Sequence, residues 1–461
     1  MKTVYNKQEI EDFAHYWGFH YDCCNPKSLI DAFCADMERG LRGVASSMPM
    51  IPSRLITQKK VKHNKTVLAL DAGGTNMRAA LISFAETSCA EPFTPQITGL
   101  TKTNMPGTKG RLSATDFFKA IADICEPLIR GHGGEIDGIG FCFSYAMDIL
   151  PDGDGVPLLF SKEVDAPEVV GKPIGKNLLD ELARRSLKVP QKCVLLNDTT
   201  ATLLTGLVQV PASFTSKLGS ETLAGKAAVD GGAMIGFILG TGFNTAYPET
   251  SIPKINFENK DEPQIVVCES GNFFNLYRGA LDIEFDATTA HLNSYCTEKM
   301  CAGAYLGPLS LHILKKAVSE GLIKFRNSAK LLDMQSLQTR DMNAFLHSPL
   351  SFEGIIGGLF EKDEIDAIRS VMFLESIITE RAGLFAAATL AATAKHINAG
   401  TDPLAPLRIA IEGTTYSIYH FLAESVQTHL RTMLRENGIN FFITNTVDQA
   451  SLLGAAVAAL S

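Results

Sequence analysis

Apolar residues along this chain are spaced in two different ways. Before residue 64 the spacing is helical: Ile30–Leu41 (IDAFCADMERGL) sets apolar side chains at helical intervals beside Asp and Glu, until Pro49 and Pro52 break the pattern. From Thr66 the texture becomes that of buried strands. Thr66–Leu70 is an apolar run, Asp71-Ala72-Gly73-Gly74-Thr75-Asn76 a turn, and Arg78–Phe84 a second run. The pattern then predicts a helix over Ala114–Ile129, a strand over Ile136–Ser144, a loop at Pro151–Pro157, a strand at Cys193–Leu196 and a helix from Asp198. Ser213–Gly232 is polar and Gly-rich and reads as a loop or hairpin excursion. Strand–turn–strand recurs at Ile235–Leu239, Gly240-Thr241-Gly242 and Phe243–Tyr247. The remainder is largely helical, with a strand and turn at Arg408–Thr415 and a strand at Phe441–Thr444. Asp448–Leu460 closes the chain as a helix with a capping candidate at its start.

Two similar strand–turn–strand units thus stand about one domain apart, and two like α/β halves across a cleft is the simplest architecture that uses both turns. The expected smaller domain covers 64–205 and regains 447–461 as a returning helix; the larger holds 1–63 and 206–446. A length of 461 residues suits such a division, since domains run to about 100–200 residues each. The net charge of −8 and the absence of like-charge blocks exclude a nucleic-acid groove, which needs a clustered basic surface. The ten cysteines form no CxxC pair, so they read as buried reduced thiols of a cytosolic protein. MKTVYNKQEI has no apolar signal core, and Ala382–Ala394 is shorter than the roughly 20 residues of a membrane span. A cytoplasmic protein without membrane partners is expected, its oligomeric state open.

Candidate chemistry gathers at the turns. Gly73-Gly74 lets backbone N–H groups approach an anion, and Thr75 and Asn76 add side-chain donors. Asp71, at the strand end, sits where a carboxylate can hold magnesium directly or through water. Gly240-Thr241-Gly242 repeats the logic for a second side of a polyphosphate. Neither is a Walker A loop, because the Lys is missing and a strand follows. Arg78 is either a cross-strand charge or phosphate support. Asp198 stands where a strand ends and a helix begins: a helix cap by one reading, a carboxylate at a ligand-binding strand end by the other. Phosphoryl transfer needs one carboxylate to accept a hydroxyl proton, and Asp198 is the candidate.

These residues, in this order, resemble the hexokinase family, in the larger group with sugar kinases, actin and the heat-shock chaperone ATPases. The resemblance spans nearly the whole chain. Leu70–Arg78 resembles its first phosphate motif, Leu196-Asn197-Asp198-Thr199 its catalytic segment, Ile238–Asn244 its second phosphate motif and Ile411-Glu412-Gly413-Thr414-Thr415-Tyr416 its adenosine motif. Glu298-Lys299-Met300 with Gly303 and Leu306-Gly307 is similar to a segment of eukaryotic-type hexokinases, and Met37–Gly40 with Met50-Ile51-Pro52 to their N-terminal helix and turn. The resemblance implies two actin-like or ribonuclease-H-like domains facing a cleft, with ATP and magnesium as cofactors. It implies a hexose held by Ser144, Ser161, Lys162, Asn197, Asp198, Asn244, Glu269 and Glu298, with Asp198 as general base toward the 6-hydroxyl and Lys162 as a second catalytic group.

By the same resemblance, nucleotide phosphates fall to Asp71, Gly73, Gly74, Thr75, Asn76, Arg78, Gly240, Thr241, Gly242, Gly413 and Thr414, with Asp71 reaching the metal through water. Tyr416 either meets adenine or packs. Three places depart from the family, all near the sugar: Tyr145-Ala146 for Phe-Pro, Phe160-Ser161-Lys162-Glu163-Val164 for Trp-Thr-Lys-Gly-Phe, and Ser270-Gly271 after Glu269. Competing readings are a kinase for another hexose or an aminohexose, a silent sugar sensor, and an actin- or chaperone-like ATPase.

Overall fold

The computed structural model describes residues 4–56, 64–84, 95–160, 164–206, 233–444 and 449–460. Two mixed sheets form its frame. In the first, β2 (Lys65–Gly73), β3 (Asn76–Phe84), β4 (Gln96–Asn104), β5 (Gly138–Phe143) and β8 (Cys193–Leu196) lie in the order β4-β3-β2-β5-β8. The β2/β3 and β3/β4 pairs are antiparallel; β2/β5 and β5/β8 are parallel. A small hairpin, β6 (Met147–Ile149) with β7 (Gly155–Pro157), projects after β5.

The second sheet runs β1-β13-β10-β9-β14-β15, with β1 (Ile51–Ile56), β9 (Met234–Leu239), β10 (Phe243–Glu249), β13 (Gln264–Val267), β14 (Leu407–Glu412) and β15 (Phe441–Thr444). Without β1 its order in chain sequence is 3-2-1-4-5, with the same antiparallel and parallel pairings as the first sheet. The recurrence of strand–turn–strand is therefore a duplication of a whole sheet.

Several expectations shift. β1 is a strand where the pattern read only the end of a helical region. Pro52 lies within it, which an edge strand tolerates because one side makes no ladder bonds. β4 was invisible to hydrophobic patterning because it is polar and largely exposed at the other sheet's edge. The loop expected at Pro151–Pro157 ends in β7. The Ala-rich segment is part of one helix, Ile365–His396, buried along most of its length. No helix among the described residues is long and apolar enough to cross a membrane. The expected excursion at Ser213–Gly232 lies outside the described residues.

Side chains alternate across β2: Leu68 and Leu70 join a core with the helices Ala114–Gly131 and Ile174–Arg184, while Val67 and Ala69 face a core between the two sheets. That inner core is built on two short helices, Asp198–Thr205 and Ala450–Ala459, packed against each other and against opposite sheets. The approach is backbone to backbone. A Cβ at Gly140 would stand 1.8 Å from the Ala455 carbonyl oxygen, and one at Gly454 would stand 2.1 Å from that of Ala201. This small-residue contact fixes the helix bearing Asp198 at the sheet junction.

The long helix also buries a charge problem. Glu375 is 0% exposed; Ser310 Oγ donates to its Oε2 at 2.8 Å, and Oε1 has no partner. Burial pushes its pKa up to about 8. The folded state then holds a proton that the unfolded state releases near the ordinary Glu range. Stability is accordingly lost as pH rises from about 4.5 to 8. Glu375→Gln should be near neutral at pH 5 and stabilising on the order of 3 kcal/mol at pH 8. Denaturant unfolding at both pH values checks this, and an equal effect at both would refute it.

Candidate active site

Strand ends deliver the candidate residues. β2 ends in Asp71-Ala72-Gly73, and Gly74 turns the chain at φ +67° into β3. Gly73, Thr75 and Asn76 are exposed at this turn, with Asn76 Nδ2 donating to Thr75 Oγ1 at 3.3 Å. Asp71 is buried and sits directly across the ladder from Arg78. Arg78 Nε donates to Asp71 Oδ2 at 2.8 Å, its Nη2 makes a second contact to the same oxygen, and Nη1 reaches Gln449 Oε1 at 2.9 Å. Both readings of Arg78 thus bear on one atom group: it is a cross-strand charge partner, and the carboxylate it orients is the metal candidate.

The adjoining strands carry the chemistry next to it. Asn197, not Asp198, caps the helix Asp198–Thr205: its Oδ1 accepts from the Thr200 N–H at 2.9 Å. The capping reading of Asp198 is therefore overturned, and its carboxylate is held instead by Thr199, whose N and Oγ1 donate to Oδ1 at 2.7 and 3.2 Å. Ser144 follows β5, with its N–H on the Ala72 carbonyl at 3.1 Å. Ser161 and Lys162 lie outside the described residues.

From the second sheet, β9 ends at Gly240-Thr241-Gly242, and Thr241 is exposed. The Gly240 carbonyl accepts from Gly303 N at 2.8 Å and from Thr415 Oγ1 at 2.8 Å, which ties this turn to the one after β14. Gly413 makes that contact with φ +133°, and Thr414 beside it is exposed. Tyr416 packs in the core and accepts from Gln427 Nε2 at 3.2 Å.

Glu269 follows β13 by two residues with φ +58°, an uncommon conformation for a residue with a side chain. Asn244 Nδ2 donates to Glu269 Oε1 at 2.8 Å, while its Oδ1 accepts from Thr245 N at 2.7 Å and Ser270 N at 3.3 Å. Asn244 thus supports the Glu269 turn. Glu298 Oε2 accepts from Phe243 N at 3.0 Å, and Gly242 and Gly271 leave it room: a Cβ on either would stand 3.1 Å from that oxygen.

These groups share one electrostatic field. Burial raises the pKa of Glu298 to about 7, with Glu269 and Asp198 adding to the rise. Burial and the Asp198 charge also raise Glu269; Asn244 opposes them. Burial raises Glu412, which takes the Thr202 hydroxyl at 2.8 Å and feels Asp198, Asp71 and Arg78. Asp198 therefore shares its field with Glu269 and Glu298 and also with Glu412, which feels Asp71 as well. A cavity beside it is lined from both sheets by Ser53, Tyr145, Asn197, Thr200, Val267 and Glu269, among others. Cys142 and Cys268 are buried, and burial raises both thiols well above their usual range, so they are inert packing groups.

Two residues escaped the sequence reading. Glu412 lay inside the adenosine motif, and the strand-end rule that selected Asp198 selects it too. Tyr145 stood out only as a departure; its hydroxyl donates to the Gly74 carbonyl at 2.6 Å, joining the expected sugar loop to the first phosphate turn. Phe cannot make that bond. The hard oxygen donors of Asp71 and Glu412, inside a field of carboxylates that would repel bare phosphates, suit a magnesium-chelated nucleotide.

Comparison with known proteins agrees with this geometry. Two family models, both described as hexokinase, match residues 17–208 and 234–461. Hexokinase-1 of Schizosaccharomyces pombe is 25% identical over 93% of this chain and 86% of its own length. The hexokinase of Schistosoma mansoni is 26% identical over 94% and 93%. The solved structure of the Schistosoma mansoni hexokinase complexed with glucose superposes with a TM-score of 0.70, covering 98% of this chain and 99% of that one at 22% identity. The match covers both sheets and shows a shared fold. The chain belongs to the hexokinase family.

Proposed function

We propose that this chain transfers the γ-phosphoryl group of ATP to the 6-hydroxyl of a hexose such as glucose, in a cleft between residues 64–205 with 447–461 and the rest of the chain. One observation carries the reading: Asp198, beside the capping Asn197, lies in Coulombic reach of Glu269 and Glu298, taken as the sugar's partners, and of Glu412, which also feels Asp71 on the nucleotide side. Glu269, Glu298, Asn197, Asn244 and Ser144, with Ser161 and Lys162, hold the sugar. The turns at Gly73–Asn76, Gly240–Gly242 and Gly413–Thr414 offer backbone N–H groups and threonine hydroxyls to the phosphates. Magnesium would be held through Asp71 and would neutralise phosphate charge; Arg78 keeps that carboxylate in place.

In the reaction the Asp198 carboxylate takes the proton of the sugar hydroxyl, the hydroxyl oxygen bonds to the γ-phosphorus, and ADP departs with the electron pair of the broken bridge. Closing the cleft excludes water, so the sugar rather than water is phosphorylated. Tyr145, bonded to the Gly74 carbonyl, links the sugar loop to the nucleotide turn during closure.

A coupled ADP-release assay with glucose, fructose, mannose and glucosamine tests the reading and ranks the substrates. Sugar-dependent release is expected; sugar-independent hydrolysis would favour an ATPase, and no release a silent sensor. Sugar affinity should also depend on pH. Sugar hydroxyls donate to Glu298, so binding favours its charged form and should tighten about tenfold from pH 6 to pH 8 as a group near 7 gives up its proton. Calorimetry across that range should lose the dependence in Glu298→Gln; a dependence that persists in the variant would assign it elsewhere.

A further inference from the structure

Outside the cleft, three ligand atoms converge where the first helix ends. Lys7–Tyr16 carries His15 in its last turn, His20 caps the short turn Tyr21–Cys23, and Asp22 lies within that turn. His15 Nε2, His20 Nδ1 and a carboxylate oxygen of Asp22 lie within 4.8 Å of one another. Both ring nitrogens point at the same oxygen, Asp22 Oδ1, at 2.8 and 2.6 Å.

The outer bonds say what those nitrogens carry. His15 Nδ1 stands 2.7 Å from the Glu11 carbonyl oxygen, which can only accept, so the ring hydrogen is on Nδ1. In a neutral ring Nε2 is then a lone pair facing a carboxylate oxygen. His20 Nδ1 lies 2.6 Å from the same oxygen and 3.4 Å from the Asp22 backbone nitrogen, so the carboxylate is its closer neighbour, and with the ring hydrogen on Nε2 its lone pair is open to a metal. A proton can bridge the His15 gap only if that ring is imidazolium, whereas His20 can bridge its own gap as a neutral ring with the hydrogen on Nδ1. The rings are stacked, with centroids 4.1 Å apart and planes at 18°, which brings both ligating nitrogens to one side of the Asp22 carboxylate. A single divalent ion satisfies all three lone pairs at once.

We propose that His15 Nε2, His20 Nδ1 and Asp22 Oδ1 form a zinc site. Two imidazoles and one carboxylate are a donor set for zinc rather than for magnesium or calcium, and water would fill the fourth position. The Glu11 carbonyl on the far nitrogen of His15 is the outer partner that orients a metal-ligating histidine. The side chains of His15 and Asp22 are 45% and 55% exposed, so the ion has an entry path and the contacts have freedom to open by about half an ångström to bonds of about 2.1 Å. His20, at 6%, is the fixed anchor. Zinc here would staple the end of the first helix to a turn that packs on the helix Ile365–His396.

The test uses the full chain without a histidine tag, stripped with a chelator and titrated with zinc chloride by calorimetry, with metal content measured after gel filtration. One equivalent per chain is expected, with a thermal midpoint raised by a few degrees. His15→Ala and Asp22→Asn, both at exposed positions, should each weaken binding about tenfold or more and abolish the thermal shift. Cobalt substitution should give the visible absorption of a nitrogen–oxygen site without thiolate charge transfer. No zinc uptake, uptake unchanged in both variants, or a cobalt spectrum showing thiolate ligands would each overturn the proposal.

Discussion

Asp198→Ala should lower kcat by about two to four decades while sugar binding persists. The alanine removes the group proposed to take the hydroxyl proton and leaves the other proposed sugar partners, Glu269, Glu298 and Asn197, in place. Folding should be spared, because the helix that Asp198 begins is capped by Asn197. The bonds from Thr199 that the alanine loses are local ones within the first turn. Loss of turnover can therefore be separated from unfolding by comparing steady-state rates with sugar calorimetry and a thermal scan. Asp198→Asn, which keeps the acceptor for Thr199 and removes the base, should fall as far. Turnover within about threefold of the parent in either variant would end the assignment of Asp198 as general base.

The second large effect is expected at Gly413, where the two nucleotide-side turns touch. A Cβ there would stand 2.2 Å from the Leu239 carbonyl oxygen and 2.5 Å from Gly240 N, and the φ of +133° is itself strained for any side chain. Backbone cannot yield as a flexible side chain can, so Gly413→Ala must push the β9 turn away from the turn after β14. The Thr415 bond to the Gly240 carbonyl would be broken with it. A stability loss of about 3 kcal/mol or more follows from strain and a lost buried bond. A displacement near 1 Å of the threonine-bearing turns should cost about a hundredfold in kcat/KM for ATP. Thermal unfolding with steady-state kinetics in both substrates checks this. A variant as stable and as active as the parent would show that the turns do not depend on each other.

Much of this was legible in the chain because it is local. Cys193–Leu196 and Phe441–Thr444 are strands as their apolar runs indicate, and both glycine turns fall where a strand ends. The order of motifs led to the family before any coordinate. What patterning missed was decided at edges: β1 and β4 are made by pairing, not by a buried face, and carry little hydrophobic signal of their own. The loop read over Pro151–Pro157 failed likewise, since β7 exists only by pairing with β6.

Within the candidate site, the sequence by itself determined which residue types stand at strand ends: Asp71, Asp198, Glu269, Glu412, and the glycines that let backbone approach an anion. Short-range chemistry suffices for that, because turn geometry and apolar periodicity are written over a few neighbouring residues. Only the tertiary structure decided what each group does with its lone pairs and protons. It bent Asn244 to support Glu269, joined Tyr145 to Gly74, and set Asp198 in one field with Glu269, Glu298 and Glu412. Each of those choices depends on a distance or a dielectric shared by residues far apart in the chain, which no local pattern encodes. The raised pKa of Glu298, about 7, is the clearest instance: it exists because the fold buries the group near Glu269 and Asp198, which stand far from it in the chain.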